Sequence, residues 1–316
     1  MEDIPQVPPP ITETSVPSTQ RLILTAVFCL ALVALLGTGA YTVLEHKRAD
    51  KERALAALTP STPQSVVHPE SFTDLSLEAG AAYVVDLSTG AVLYEKNANA
   101  QLPLASLTKL MTALIATDLI ASDTPVVFDG QRWNRDVLIN LTLVASSNEG
   151  ADALARAAEE ASGKKFLDEM NARSRALTMM ETFYVNPTGL DLTGTQGGSY
   201  GSAHDMARLM ASIVNSRPEL LQATRLPFYS ARSFGGTFVT VRNTNQNVSR
   251  ISGIIGSKTG FTDLANGNLV IAFDRGLAQP VVVAVLGSSQ EGRFRDVETL
   301  VDRTFAYYHQ PLPPTP

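Results

Sequence analysis

Three short groups of polar residues could do chemistry together. The first is Ser106-Leu107-Thr108-Lys109, at the start of an apolar-periodic stretch running to Ile120. Residues three apart lie on one side of a helical turn, with Cβ atoms about 5–6 Å apart, so an amine comes within reach of a hydroxyl. Desolvating such a lysine lowers its pKa and makes it a base for an otherwise weak serine nucleophile. Taken alone, the pair is equally well a helix cap beside a solvated lysine. The second group is Ser146-Ser147-Asn148, between two helical stretches. Here a hydroxyl can relay protons while an amide holds a substrate, although an ordinary N-cap uses the same residues. The third is Lys258-Thr259-Gly260, inside an apparent strand from Gly256 to Phe261. A lysine and a threonine can hold a carboxylate there, and the glycine lets a substrate backbone approach the strand edge.

Elements able to bring these groups together can be read around them. Ala81–Asp86 and Ala91–Glu95 are short apolar runs separated by Leu87-Ser88-Thr89-Gly90, the pattern of a hairpin. Leu107–Ile120 and two stretches within Val137–Ala161 have helical spacing. Val270–Phe273 and Val281–Gly287 read as strands joined at Asp274-Arg275-Gly276, and Phe294–Tyr308 as a closing amphipathic helix. Strands at both ends with helices between them predict an α+β domain whose sheet joins the two ends of the chain.

Composition narrows the class. The chain has 316 residues and a net charge of −6, which argues against a nucleic-acid partner. Cys29 is the single cysteine, so no intrachain disulfide forms. His46, His68, His204 and His309 lack ligand-like spacing, and the sequence predicts neither a metal nor another cofactor.

The N-terminal quarter differs in texture. Residues 1–20 hold five prolines and read as a disordered leader. Leu22–Leu44 carries no charge; at about 1.5 Å per residue it reaches roughly 34 Å, enough to cross a bilayer core. Residues 21–44 are therefore expected to anchor the chain in a membrane, with a cleavable signal as the alternative. Lys47, Arg48, Lys51 and Arg53 follow the run and only Arg21 precedes it. That distribution would place the C-terminal flank in the cytoplasm. Residues 45–76 read as a stalk, 77–309 as the globular domain and 310–316 as a proline-rich tail.

Each group is weak alone, but Ser-x-x-Lys, Ser-x-Asn and Lys-Thr-Gly in this order form a specific constellation. The surrounding text resembles the low-molecular-mass penicillin-binding proteins that are serine D-alanyl-D-alanine carboxypeptidases. The likeness runs through Asp86–Tyr94, Leu104–Ala113, Asn186–Asp191 with Ser202–Ala207, and Gly256–Thr262, covering roughly residues 77–309. It implies a penicillin-binding protein/serine β-lactamase-like fold, an antiparallel sheet flanked by helices plus an all-helical subdomain. It also implies that Ser106 is acylated, Lys109 takes its proton, Ser146 relays a proton to the leaving D-alanine, and Asn148 holds the substrate. Lys258 and Thr259 would bind the terminal carboxylate beside Gly260, with the N–H groups of Ser106 and Phe261 as the oxyanion hole. The implied partners are peptidoglycan stem peptides, β-lactams as covalent inhibitors, and the membrane through the N-terminal run. Two departures stand out: the stretch from Ile120 to Val137 is short for the family, and no C-terminal β-domain is expected.

Competing readings share the motifs. A class A-like β-lactamase needs a glutamate followed four residues later by asparagine, but Glu181 is followed at that spacing by Val185. A D,D-endopeptidase remains open, as does a non-catalytic penicillin sensor that would stay acylated.

Overall fold

The computed structural model describes residues 70–309. The expected leader 1–20, the apolar run 21–44, most of the 45–76 stalk and the tail 310–316 lie outside the described residues. Among the described residues no helix is long and apolar enough to cross a membrane.

Among the described residues, twelve strands and six α-helices follow one another. Strands β1 (Ala81–Asp86) and β2 (Val92–Lys96) form the expected hairpin, and β3 (Leu102–Pro103) leads into the first helix, α1 (Thr108–Leu119). A ribbon of β4 (Pro125–Phe128) and β5 (Gln131–Asn134) precedes α2 (Arg135–Ala145), α3 (Asn148–Ser162) and α4 (Phe166–Ala176). Next come β6 (Phe183–Tyr184), β7 (Ser199–Gly201) and α5 (Ala203–Ser216). The chain closes with β8 (Phe228–Arg232), β9 (Phe238–Arg242), β10 (Ile254–Thr262), β11 (Asn266–Asp274), β12 (Pro280–Ser288) and α6 (Gly292–His309).

The main sheet has the order β10-β11-β12-β1-β2. Its seam is the antiparallel pair β1–β12, which sets Ala81 opposite Leu286 and Asp86 opposite Val281. The sheet therefore does join the two ends of the domain. Both its faces are covered, so its central strands are continuously apolar rather than alternating. Val282, Ala284 and Leu286 face one core with α1 and α5 residues such as Leu110, Met111 and Met206. Val281, Val283 and Val285 face the other, packed by Phe294, Val297, Leu300 and Val301 of α6.

One detail differs from the sequence expectation. Phe72, in a 3-10 turn (Glu70–Phe72), is buried and stacks on Tyr94 with ring centroids 5.9 Å apart. Packed structure thus begins upstream of the Leu77 boundary read from texture. The stretch between Ile120 and Val137 carries regular structure of its own. It holds the β4–β5 ribbon, whose Gln131 Oε1 accepts from Ser233 Oγ (3.3 Å) and Thr237 Oγ1 (3.1 Å). The helical part is thereby edged by this ribbon and by β8–β9.

Candidate active site

The nucleophile segment is set by backbone contacts before any side chain acts. Ser106 lies in a 3-10 turn, Ala105–Leu107, which runs into α1 without a side-chain cap at either start. The capping alternative for Ser106 therefore fails. Ala105 has φ 49°, a left-handed conformation that costs a non-glycine residue energy and occurs most often at functional sites. Two glycines press against this turn. A Cβ on Gly189 would lie 1.9 Å from the Ala105 carbonyl oxygen, and one on Gly260 would lie 2.7 Å from that of Leu104. Only glycine allows both the 186–191 loop and β10 to close on the turn. Asn268 of β11 adds a clamp, its Nδ2 donating at 3.0 Å to the carbonyls of both Pro103 and Leu104.

Lys109 sits one helical turn along, fully buried. Its Nζ donates to Ser106 Oγ (2.8 Å), Asn148 Oδ1 (2.7 Å) and the Thr188 carbonyl (2.7 Å). Burial pulls its pKa from the usual lysine value down to about 7, while the Asp152 and Glu149 carboxylates partly oppose that. Near neutral pH a substantial fraction of Lys109 is thus the free amine.

The second wall comes from the α2–α3 junction and β10. Ser146 ends α2 in a left-handed conformation (φ 58°). The helix cap anticipated in this motif exists, but it is Ser147, whose Oγ accepts from Gly150 N at 2.9 Å. Ser146 is thereby free to meet Lys258, whose Nζ donates to Ser146 Oγ (2.8 Å) and to the Thr259 carbonyl (2.8 Å). Burial drives the Lys258 pKa well down, and the charges of Lys109 and Arg293 push it further the same way.

The two walls enclose a cleft of about 270 Å³, lined among others by Ser106, Ser146, Asn148, Thr244, Thr259 and Arg293. Phe261 and Leu190, both exposed, flank its mouth. All eight residues anticipated from sequence come together here or directly behind it. Lys258 stands behind Ser146 rather than on the cleft wall.

Three further residues contribute, and two of them, Thr244 and Arg293, carry no local sequence signal. Thr244 Oγ1 accepts from Thr259 Oγ1 at 2.7 Å. Arg293, in the first turn of α6, is buried, donates from Nη1 to the Gly260 carbonyl at 2.7 Å, and keeps a buried Nε with no hydrogen-bond partner. Thr188 contributes only its main chain. Its signal was the loop text Asn186-Pro187-Thr188-Gly189, in which Asn186 Oδ1 accepts from the backbone N–H of Thr188 (3.1 Å) and Gly189 (2.7 Å).

Ser106 on a buried Lys109, facing a Ser–Lys–Thr wall on an antiparallel sheet flanked by helices, is an arrangement suited to serine acyl transfer on a penicillin-binding protein fold. A family profile described as D-alanyl-D-alanine carboxypeptidase matches residues 64–126 and 117–290, and the chain belongs to that family. Carboxypeptidase DacF of Bacillus subtilis is 28% identical over 256 residues, which is 75% of this chain and 64% of that protein. The chain thus spans under two thirds of that relative's length. A D-alanyl-D-alanine endopeptidase of Pseudomonas aeruginosa is 34% identical over 222 residues, 62% of this chain and 67% of the relative. Among solved structures, ampicillin-bound penicillin-binding protein D2 of Listeria monocytogenes superposes with a TM-score of 0.64 at 30% identity. That match covers 73% of this chain and 99% of the other.

Proposed function

We propose that this protein is a serine-type carboxypeptidase that removes the terminal D-alanine from peptidoglycan stem peptides through an acyl-enzyme on Ser106. The observation that carries the reading is the 2.8 Å contact between Ser106 Oγ and a buried Lys109 whose pKa is brought to about 7. Neutral Lys109 takes the Oγ proton as Oγ bonds to the carbonyl carbon of the penultimate D-alanine. The N–H groups of Ser106 and Phe261 receive the oxyanion. Collapse breaks the C–N bond, and the departing amine takes a proton through Ser146, which Lys258 orients. Water then cleaves the Ser106 ester and returns the proton to the site. The amide Nδ2 of Asn148 holds the peptide, since its Oδ1 is committed to Lys109. Thr259, beside Gly260, together with Thr244 and the Arg293 guanidinium, receives the terminal carboxylate. Lys258 contributes charge from behind as the carboxylate arrives and favours its protonated form. β-Lactams acylate Ser106 by the same route, their ring amide taking the place of the peptide bond.

A D,D-endopeptidase reading has one observation in its favour. Thr244 and Arg293 also border a second hollow, lined by Arg242, Gln246 and Gln290, which extends the cleft beyond the carboxylate end. Such room suits a substrate that continues past the scissile bond.

The domain acts outside the cytoplasm, tethered by a single span at 21–44; the uncharged run Leu22–Leu44 is what supports this. Protease added to intact cells should remove residues 77–309, and full protection of the domain would reverse the orientation.

The deciding experiment treats the protein with a fluorescent penicillin and, separately, with a peptide ending in D-Ala-D-Ala and with a cross-linked peptide dimer. Labelling at Ser106 with release of one D-alanine supports the carboxypeptidase. Cleavage of the dimer alone supports the endopeptidase, and labelling without any turnover supports a sensor. No labelling would overturn the acyl-enzyme.

A further inference from the structure

Away from the cleft, the start of α5 holds an arrangement that the acyl-transfer chemistry does not use. Glu181, His204 and Asp205 each bring a donor atom to one cluster, these atoms lying within 4.8 Å of one another. Asp205 is fully buried, and its two oxygens differ. Oδ2 is satisfied, accepting from Glu181 N (3.0 Å) and Thr182 Oγ1 (2.8 Å). Oδ1 is buried with no hydrogen-bond partner, and so is the facing His204 Nδ1.

The separation between those two atoms, 3.4 Å, is informative. An N–H···O bond peaks near about 2.9 Å, so the pair is too far apart for a good one. Two ligands of a tetrahedral zinc ion, each bonded at about 2.0–2.1 Å, stand roughly 3.3 Å apart. An unpaired carboxylate oxygen and an unpaired imidazole nitrogen, both out of water, are costly unless something binds them.

We propose that Glu181, His204 and Asp205 form a structural site for a divalent transition-metal ion of the zinc class. His204 Nδ1 and Asp205 Oδ1 supply two ligands, the Glu181 carboxylate closes in by a rotamer adjustment, and water takes the fourth place on the exposed side. An imidazole ligand favours zinc, nickel or copper over magnesium and calcium, which prefer all-oxygen shells. The surrounding contacts hold the ligands ready. His204 N donates to the Ala98 carbonyl (3.0 Å), and the ring packs edge-on against Tyr83, centroids 5.2 Å apart. Ser202 Oγ caps α5 by accepting from Asp205 N at 3.1 Å.

The ion would join segments that meet nowhere in sequence. It ties the loop after α4 to the start of α5. Gln101 Nε2, donating to the Glu181 carbonyl at 2.7 Å, extends the tie to the strand entering the nucleophile turn. From the other side, the Ser199 carbonyl accepts from Leu104 N at 3.1 Å. The site therefore braces the base of the Ser106 segment without touching substrate.

The test is calorimetric titration of the EDTA-stripped full chain with zinc chloride, paired with thermal unfolding. One ion should bind per chain, and at a hundredfold excess over its Kd the Tm should rise by roughly 5–10 °C. His204→Ala and Glu181→Gln should each weaken binding at least about tenfold and erase the Tm shift. Both residues are partly exposed, so neither change empties the core, whereas Asp205→Asn would also disturb the Oδ2 contacts. Peptidase or penicillin-binding activity of the zinc-free His204→Ala chain should match that of the zinc-free native chain. Absence of binding overturns the proposal. One-to-one binding that survives both variants places the ion on another histidine, and an equal Tm shift with magnesium shows a general salt effect; either result also overturns it.

Discussion

Lys109 and Lys258 stand behind opposite walls of one cleft, both buried and each 2.8 Å from a serine hydroxyl, yet their surroundings give them different work. Lys109 lies under α3, where Asp152 and Glu149 partly offset the cost of burying its charge, leaving its pKa at about 7. Lys258 has no such offset, since Lys109 and Arg293 add repulsion to its burial. The first lysine is therefore poised to exchange a proton during turnover. The second is pushed away from its charged form by burial and by both neighbouring cations, a push that an entering anion would oppose. Motif spacing pairs Ser106 with Lys109, whereas Ser146 and Lys258 lie 112 residues apart and meet only in the fold; the charges packed around each lysine then separate their roles.

The largest expected effect breaks the first pair at its nucleophile. Ser106→Ala should cut penicillin labelling and peptide turnover by at least about 10⁴-fold while leaving the Tm nearly unchanged. Residual covalent labelling at native rate would remove Ser106 from its role. Lys109→Arg keeps the charge but cannot deprotonate, and should slow acylation by about 10²–10⁴-fold. In the native protein, acylation should rise with pH through about 7 as Lys109 loses its proton. A stopped-flow profile flat over about two pH units either side of that value would contradict it. The same shift has a stability sign. Between pH of about 7 and the unfolded lysine value of 10.5, the unfolded chain binds more protons, so stability should rise with pH across that window. Denaturant melts of the native protein and Lys109→Met should differ in that slope.

On the other wall, Lys258→Met leaves Ser146 without its donor and should lower kcat/KM by about 10²–10³-fold, comparable to losing one preorganised transition-state donor. Arg293→Gln should cost about 10–100-fold, the worth of a charged hydrogen bond, seen as a raised KM for the free-acid peptide. The corresponding peptide amide should lose little in that variant; an equal loss for acid and amide would detach Arg293 from the carboxylate. The mildest change lies between the walls. Gly260→Ala sets a methyl 2.7 Å from the Leu104 carbonyl and should destabilise the fold by about 1–3 kcal/mol through crowding. A melting curve unchanged by Gly260→Ala would show that β10 and the nucleophile turn are not in firm contact.

Much of the scaffold was legible because burial leaves a periodic trace. The hairpin β1–β2, the helix after Ser106 and the closing helix all stood out, and the pairing of early with late strands followed from their order. The β4–β5 ribbon did not stand out. Its apolar run Val126-Val127-Phe128 is short, and Trp133 stands among Gln131, Arg132 and Asn134, so neither strand shows a full period. Phe72 sat beyond a proline-rich spacer and read as stalk, although it packs on Tyr94. Arg293 was hidden in an amphipathic helix where an arginine is ordinary.

By itself the sequence determined the chemical groups and their order, because a Ser-x-x-Lys turn, a Ser-x-Asn junction and a Lys-Thr-Gly strand are each local arrangements with fixed reach. Tertiary structure decided what those groups are worth. It buried Lys109 beside two carboxylates and Lys258 beside two cations, and it carried Thr244 and Arg293 into the cleft from elsewhere in the chain. It also set Glu181 against His204 and Asp205. Desolvation and long-range charge depend on what packs around a residue, and spacing along the chain does not encode that.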